Sequence, residues 1–307
     1  MRSRLLASAL ALTVLGTVAG CANSDTPAAP ATNASGGSVA SFDPTTIAKD
    51  EALAAKVPAA LKSKGTLTIG SDTSYAPAEF LKDDNQTAQG YDIDFAKAIG
   101  AKLGLKVTVQ TAKFPSILPG LGTKYDLGIS SFTINPERLK AVNMVSYFQA
   151  GTQWAVKKGN PKGISIDDIC GKTVGVQTGT VQEEPDLSDR NAKCKADGKD
   201  AISIVSLENQ TDVTTRLVNG SIDAMAADSP IISYALTQTN DQLEKLGDVY
   251  DAAPQAITVK KSDTATAELV QETMQSLIDD GSYQKILASW NNTDGAVKTS
   301  ELNPAQS

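Results

Sequence analysis

The stretch SSFTINPER, Ser130 to Arg138, sets three hydroxyls and a guanidinium close together, directly after the apolar end of KYDLGI. Asn135 followed by Pro136 reads as a helix N-cap and first helical residue, where the Asn side chain takes an orphan amide and proline leaves none to satisfy. Arg138 then falls in the first helical turn. A cation there opposes the helix dipole by roughly 0.3–1 kcal/mol, whereas the same helix end favours anions. A bound anion reconciles the two; an Arg138 turned to solvent beside Glu137 is the plainer alternative.

Other chemistry is narrowed by composition. The 307 residues contain no histidine, which removes Ser-His-Asp and Cys-His nucleophile systems and every His-based zinc or iron site. Catalysis by carboxylates, lysine or a histidine-free metal site stays open. A formal charge of −7, a pI near 4.8 and the lack of a Lys/Arg run argue against nucleic acid as a partner. GISSF and QTGTVQ lack the glycine spacing of a dinucleotide or P-loop site, so no cofactor is expected.

The elements that must position Arg138 alternate. GTLTIG reads as a strand, and GYDIDFAKAIGAKLGLK as a helix with Ile93, Ala96, Ile99 and Leu103 on one face and Gly104 as its C-terminal cap. VTVQTA is a strand, SILPGLGTKYD helical, and LGISSF a strand again. A second block repeats the pattern: KTVGVQTGT and AISIVSL are strands, TDVTTRLVNGSID a helix and AMAADS a strand. Two helices broken at Gly281 follow. This alternation predicts α/β units with largely parallel sheets, whose ligand sites lie at the carboxyl ends of strands. The polar candidates stand there: Asp72 and Tyr75 after LTIG, Phe114 after VTVQTA, Ser130, Ser131 and Thr133 after DLGI, Gln177 and Thr180 after TVGV, Asp228 after AMAA. Each taken alone also fits an ordinary loop or turn role.

The N-terminus reads as a leader, with Arg2 and Arg4 before an apolar run from Leu5 to Val18 that is too short for a comfortable membrane span. It ends in VAGC, which resembles a bacterial lipobox, so Cys21 is expected to be lipidated; an ordinary signal peptide with a chance cysteine is the alternative. Residues 22 to about 41 are rich in Ala, Ser, Pro and Gly and read as a flexible tether. In an oxidising compartment the remaining Cys170 and Cys194 are expected to pair, two separate buried thiols being the alternative.

From Gly65 to Trp290 the chain resembles the family 3 solute-binding proteins of polar amino-acid ABC importers. The resemblance rests on GSDTSYAPAEF, GYDIDFAKAIGAKLGL, KFPSILPGL and KYDLGISSFTINPER in a first lobe, and on DICGKTVGVQTGTVQEE and GSIDAMAADSP in a second. The paired cysteine after DDI and the QAGTQWAVKKG segment resemble lipoprotein members from high-GC Gram-positive bacteria.

The resemblance implies a two-lobed type II periplasmic-binding-protein-like fold, each lobe a mainly parallel sheet flanked by helices. Two hinge strands near Gln153 to Lys157 and Val249 to Val259 would join the lobes. The implied layout is a lipoprotein signal peptide over 1–20, a lipidated N-terminus and tether over 21–50, lobe 1 over 51–154 and 251–295, lobe 2 over 155–250 and a tail over 296–307. It further implies that Arg138 and Thr133 hold a ligand α-carboxylate and Asp228 its α-ammonium. Tyr75 and Phe114 would flank the side chain, Ser130 and Ser131 add acceptors, Gln177 and Thr180 reach across from lobe 2, and Asp72 approach the side-chain end. Ala78 and Asn135 depart from the family pattern, which would widen or re-aim the pocket. The implied protein is a non-enzymatic monomer, anchored by lipid alone on the outer face of the cell membrane, that delivers a free amino acid to permease and ATPase subunits. A sensing domain for a signalling partner and a dehydratase-like enzyme are the alternatives. With Arg138 and Asp228 committed, the remaining groups are acidic or neutral, so a basic or polar neutral amino acid is expected over glutamate or aspartate. Lys113, beside Phe114, is the cation to test first if glutamate binds.

Overall fold

A computed structural model describes residues 42–305. The expected signal peptide, Cys21 and the tether to residue 41 lie outside the described residues, as do the last two of the tail. The first lobe begins with α1 (Glu51–Ala55), α2 (Ala59–Lys64) and β1 (Thr66–Ser71), followed by the short strands β2 (Ser74–Tyr75), β3 (Glu79–Leu81) and β4 (Ala88–Gln89). It continues through α3 (Tyr91–Leu103), β5 (Lys106–Thr111), α4 (Phe114–Gly120), β6 (Leu127–Thr133) and α5 (Pro136–Ala141). β7 (Val142–Lys157) crosses to a second lobe made of β8 (Thr173–Gln177), α6 (Ser188–Ala196), β9 (Ser203–Leu207), α7 (Gln210–Asn219), β10 (Ala224–Asp228) and α8 (Ser229–Gln238). β11 (Leu243–Lys260) returns, and α9 (Thr264–Asp279) and α10 (Ser282–Ser289) pack on the first lobe.

One eight-stranded sheet in the order β5-β1-β6-β11-β7-β10-β8-β9 runs through both lobes, beside a three-stranded antiparallel sheet of β2, β3 and β4. β1 is parallel to β5 and β6, and β8 is parallel to β9 and β10. Only the crossover strands run antiparallel, β11 to β6 and β7, and β7 to β10. They extend well beyond the hinge segments predicted from sequence. The pairing of β11 with β7 shifts register between Leu246 and Tyr250, between Tyr250 and Ala253, and between Gln255 and Ala256. Such bulges bend a strand, and here they cluster where the chain passes between lobes.

α3 shows why the site lies where it does. Its Ile93, Ala96, Ile99 and Leu103 are buried as the periodicity predicts, and so are Tyr91, Asp92, Phe95 and Ala98, because α9, α10 and the N-terminal segment cover its other face. Gly104, at φ 68°, closes the helix in the left-handed conformation. At its other end Gly90 has φ 126°, and a Cβ there would stand 2.0 Å from the Ala78 carbonyl oxygen. Only glycine lets α3 start this close to β3, which brings Asp92 beneath the cleft. α4 differs from expectation: it begins at Phe114 with Pro115 near its first position and stops at Gly120. Residues 121–126 turn back instead of continuing the helix.

Both ends of the described chain also depart from expectation. Residues 42–50, grouped with the tether, are docked: the Phe42 amide donates to Ser289 Oγ (3.1 Å), the Asp50 amide to the Lys102 carbonyl (2.9 Å), and Phe42 and Ile47 pack on the core. The tail is docked as well. Ala296 and Leu302 form β-bridges to Phe148 and Val145, and Asn303 Oδ1 accepts from the Met144 amide at 2.8 Å. Composition marks both stretches as polar, yet residues 42–50 pack on α3 and α10, and the tail satisfies unpaired backbone groups on the β7 edge of lobe 1.

In lobe 2, Cys170 and Cys194 form a disulfide that ties the segment before β8 to α6. Closing a loop of this length contributes about 3 kcal/mol on the chain-entropy model.

Candidate ligand-binding site

The carboxyl ends of β1, β6, β8 and β10 meet in a cleft between the lobes. Asn135 Oδ1 accepts the Arg138 amide at 2.8 Å, the predicted N-cap, and this fixes where the arginine leaves α5. Its guanidinium turns inward: Nη1 donates to the Thr133 carbonyl (2.8 Å) and Nη2 crosses to the Gly179 carbonyl in lobe 2 (3.0 Å). It also lies over the rings of Phe114 (5.4 Å) and Phe132 (5.7 Å), which stack on each other at 4.6 Å. Gly179 has φ 80°, and a Cβ on it would meet Pro115 Cγ at 3.0 Å, so glycine permits the close approach of the two lobes at this point. Burial draws the Arg138 pKa down to about 10, with Asp228 and Tyr75 opposing, which leaves it a cation at neutral pH.

Asp228, at the end of β10, is buried and held by two amides: Gln182 Nε2 donates to Oδ1 (2.9 Å) and Gln255 Nε2 to Oδ2 (2.8 Å). Its backbone N–H donates to the Tyr75 hydroxyl at 3.2 Å. Burial pushes the Asp228 carboxyl up, and Gln182, Tyr75 and Arg138 pull it back. Asp72, after β1, accepts from the Ser74 hydroxyl (2.7 Å), the Phe114 amide (2.9 Å) and, across the cleft, Gln177 Nε2 (3.1 Å). Thr180 closes its own loop by donating to the Gln177 carbonyl at 2.7 Å.

Tyr75, Phe114, Ser130, Ser131, Thr133, Arg138, Gln177, Thr180 and Asp228 line one cavity, together with Val181 and Gln182. Asp72 stands one step outside, in the wall of an adjoining space of about 750 Å³ that both lobes line. The inner cavity measures about 10 Å³, close to the least that holds one water. The lobes are therefore shut, and their polar groups satisfy one another across the cleft. Ala78, expected to widen the pocket, is fully buried and lines neither space. Lys113 is committed to lobe 2 instead, donating to Asn209 Oδ1 (2.6 Å) and lying 3.5 Å from Glu208.

Several working residues other than Glu79, which the sequence offers with Asp72 as a first-lobe acid, were not expected. Gln182 sits inside the quoted QTGTVQEE, two positions past Thr180, and nothing in its spacing marks it. Gln255 carried a readable signal, a lone amide in the apolar stretch AAPQAITV on a central strand, where a buried polar group needs a partner. Beneath the cleft, Glu79 Oε1 accepts from the Ser130 hydroxyl (2.8 Å), while Asp92 accepts from the Ser131 amide (2.9 Å) and the Tyr147 hydroxyl (2.6 Å). Ser131 is left-handed at φ 51°, a strained conformation for a residue with a Cβ, and the Asp92 bond helps to hold it. Burial raises Asp92 to about 6 and Glu79 well above the carboxylate range; the Asp92 charge pushes Glu79 up further, while a hydrogen bond from Glu79 draws Asp92 back down.

Two lobes on a shared sheet, closing a polar cavity with a guanidinium and a carboxylate from different lobes, define a type II ligand-binding fold. The chain belongs to family 3 of the bacterial extracellular solute-binding proteins, whose model matches residues 67–293. It is 37% identical over 252 residues to the arginine-binding protein ArgT of Corynebacterium glutamicum, covering 81% of this chain and 82% of that one. An ancestral arginine-binding protein bound to arginine superimposes with a TM-score of 0.67 at 32% identity, over 74% of this chain and 98% of the other. The ancestral amino-acid-binding protein AncCDT-1, a precursor of cyclohexadienyl dehydratase, gives 0.66 at 30% identity, over 75% and 97%.

Proposed function

We propose that the protein captures a free amino acid with a basic side chain and delivers it to the permease and ATPase subunits of an ABC importer. The observation that carries this reading is the pair Arg138 and Asp228, opposite charges from different lobes lining one small cavity. A free amino acid brings one anion and one cation at fixed separation, and this pair matches both. Neither group is poised for bond making, so binding and release through lobe motion is the function, and the bulges in β11 are where the lobes turn. The protein acts as a monomer without a cofactor.

The side-chain class follows from charge. Asp72 lies on the first-lobe side, Lys113 is occupied by Asn209 and Glu208, and the cleft widens beyond Asp72. A cationic side chain directed at Asp72 finds an acceptor and room, whereas a carboxylate there meets the Asp72 charge and, as its nearest cation, a Lys113 already engaged by Asn209 and Glu208. The similarity to ArgT points the same way. A thermal-shift screen of the common amino acids tests this: L-arginine at 100 times its Kd should add about 2.7 kcal/mol. Asp72→Asn should remove most of the arginine shift and spare any glutamine shift. A glutamate shift exceeding both would overturn the assignment.

Membrane attachment through Cys21 completes the proposal, because VAGC ends the leader and an Ala/Ser/Pro-rich stretch follows. Mass spectrometry of the mature protein should find a diacylglyceryl group on Cys21. Cleavage at any other position refutes it.

A further inference from the structure

Gln255 has one partner too few. It is 1% exposed, its Nε2 donates to Asp228 Oδ2 at 2.8 Å, and its Oε1 has no hydrogen-bond partner among the described residues. A buried carbonyl oxygen left unpaired is costly, and native structures keep few of them. This one sits on the amide already bound to the carboxylate that the functional reading assigns to an α-ammonium. An ammonium has three N–H donors and a carboxylate held by two amides has few free lone pairs, so a neighbouring neutral acceptor fits the remaining donor.

The position of Gln255 in the fold adds a second argument. It lies on β11, beside the register shift between Gln255 and Ala256, and its backbone pairs with Thr133, the residue whose carbonyl accepts from Arg138. The other amide on Asp228, Gln182, also donates to Thr152 Oγ1 on β7 at 3.1 Å. Both crossover strands therefore reach the ammonium-binding acid, β11 directly and β7 through Gln182.

We propose that Gln255 is a positioning residue for the ligand ammonium: Nε2 orients Asp228 while Oε1 accepts an ammonium N–H, which fastens the ligand to the crossover strand. This rests on the amino-acid reading of the site. It is tested by titrating wild type, Gln255→Leu and Gln255→Glu with two ligand pairs, L-arginine against δ-guanidinovalerate and L-glutamine against glutaramate. The second member of each pair lacks only the α-amino group, and its weak binding is followed by ligand-observed NMR.

Gln255→Leu should weaken the amino acid by about tenfold or more while leaving its des-amino partner within about twofold of wild type. Gln255→Glu, protonated beside Asp228, keeps one donor and one acceptor and should hold affinity within about threefold of wild type. A structural role alone would weaken both members of a pair equally. That result, or a Glu variant as poor as the Leu variant, overturns the proposal. Wild-type protein that binds neither amino acid overturns the functional reading itself, and the role of Gln255 with it.

Discussion

Arg138→Ala should weaken binding of the amino acid by about 2–5 kcal/mol, roughly thirty- to several-thousandfold, because it removes one partner of the proposed desolvated, charge-assisted contact. Isothermal titration reads this directly. The free protein should change far less, since Arg138 bonds only to the carbonyls of Thr133 and Gly179 and makes no ion pair there. Arg138→Lys should recover little of the loss, because one ammonium cannot span both carboxylate oxygens as the planar fork does. Asp228→Asn should cost a comparable amount at the other end of the ligand. An Arg138→Ala protein that binds within threefold of wild type, a change of about 0.7 kcal/mol by RT ln 3, would falsify the assignment of Arg138 to the α-carboxylate.

The contact pattern around Arg138 also bears on closure. In the shut cleft Arg138 reaches Gly179, Gln177 reaches Asp72 and the Asp228 amide reaches Tyr75, and further out Lys113 reaches Asn209 and the Gln210 amide reaches Ser74, so hydrogen bonds already link the lobes. A ligand gains only the difference between its own bonds and the ones it displaces. Charge makes that difference favourable: a carboxylate on Arg138 replaces neutral carbonyls, and an ammonium adds a charged donor to Asp228 beside the amides that hold it. Such exchange lets a polar ligand shift the balance between open and shut lobes without a large apolar contact.

What the sequence made legible is the chemistry at strand ends. Arg138 with its Asn135 cap, Asp228 after AMAA and the hydroxyls after DLGI are local patterns, each spelled within a few residues of its strand. The second layer was hidden because its partners are far apart along the chain. Asp92 meets Ser131 39 positions away, Glu79 meets Ser130 across 51, and Gln255 meets Asp228 only because β11 returns beside β7. Alternation of strands and helices likewise predicts parallel sheets but cannot show that two long antiparallel strands join them into one. The docked residues 42–50 and 296–305 were missed for a related reason: their composition is that of a linker, and the helix faces and the β7 edge they cover exist only once the topology is known.

The buried acids give a prediction of opposite sign to the usual one. Glu79 and Asp92 are about 1% and 0% exposed, and neither pairs with a Lys or Arg among the described residues. In the unfolded chain both lose their protons near pH 4; folded, Asp92 holds its proton to about 6 and Glu79 to higher pH. The folded state therefore binds more protons across this window, and the pair's contribution to stability falls as pH rises through it. For Asp92 alone the shift corresponds to about 3 kcal/mol at 1.36 kcal/mol per unit, and the pair titrates jointly. Glu79→Gln keeps a carbonyl oxygen for the Ser130 hydroxyl and an N–H for Asp92 in place of the Glu79 proton, but it has no carboxyl that must hold a proton in the folded state and lose it in the unfolded one. The variant should match wild type near pH 4 and exceed it by about 1–3 kcal/mol at pH 7, a gain of several degrees in Tm for a protein of this size. Denaturant unfolding at pH 4, 5.5 and 7 measures the difference between the two curves, so acids elsewhere in the chain cancel. Parallel curves for the two proteins would mean that Glu79 and Asp92 do not share a proton, and that another group holds Ser130 and Ser131 in place.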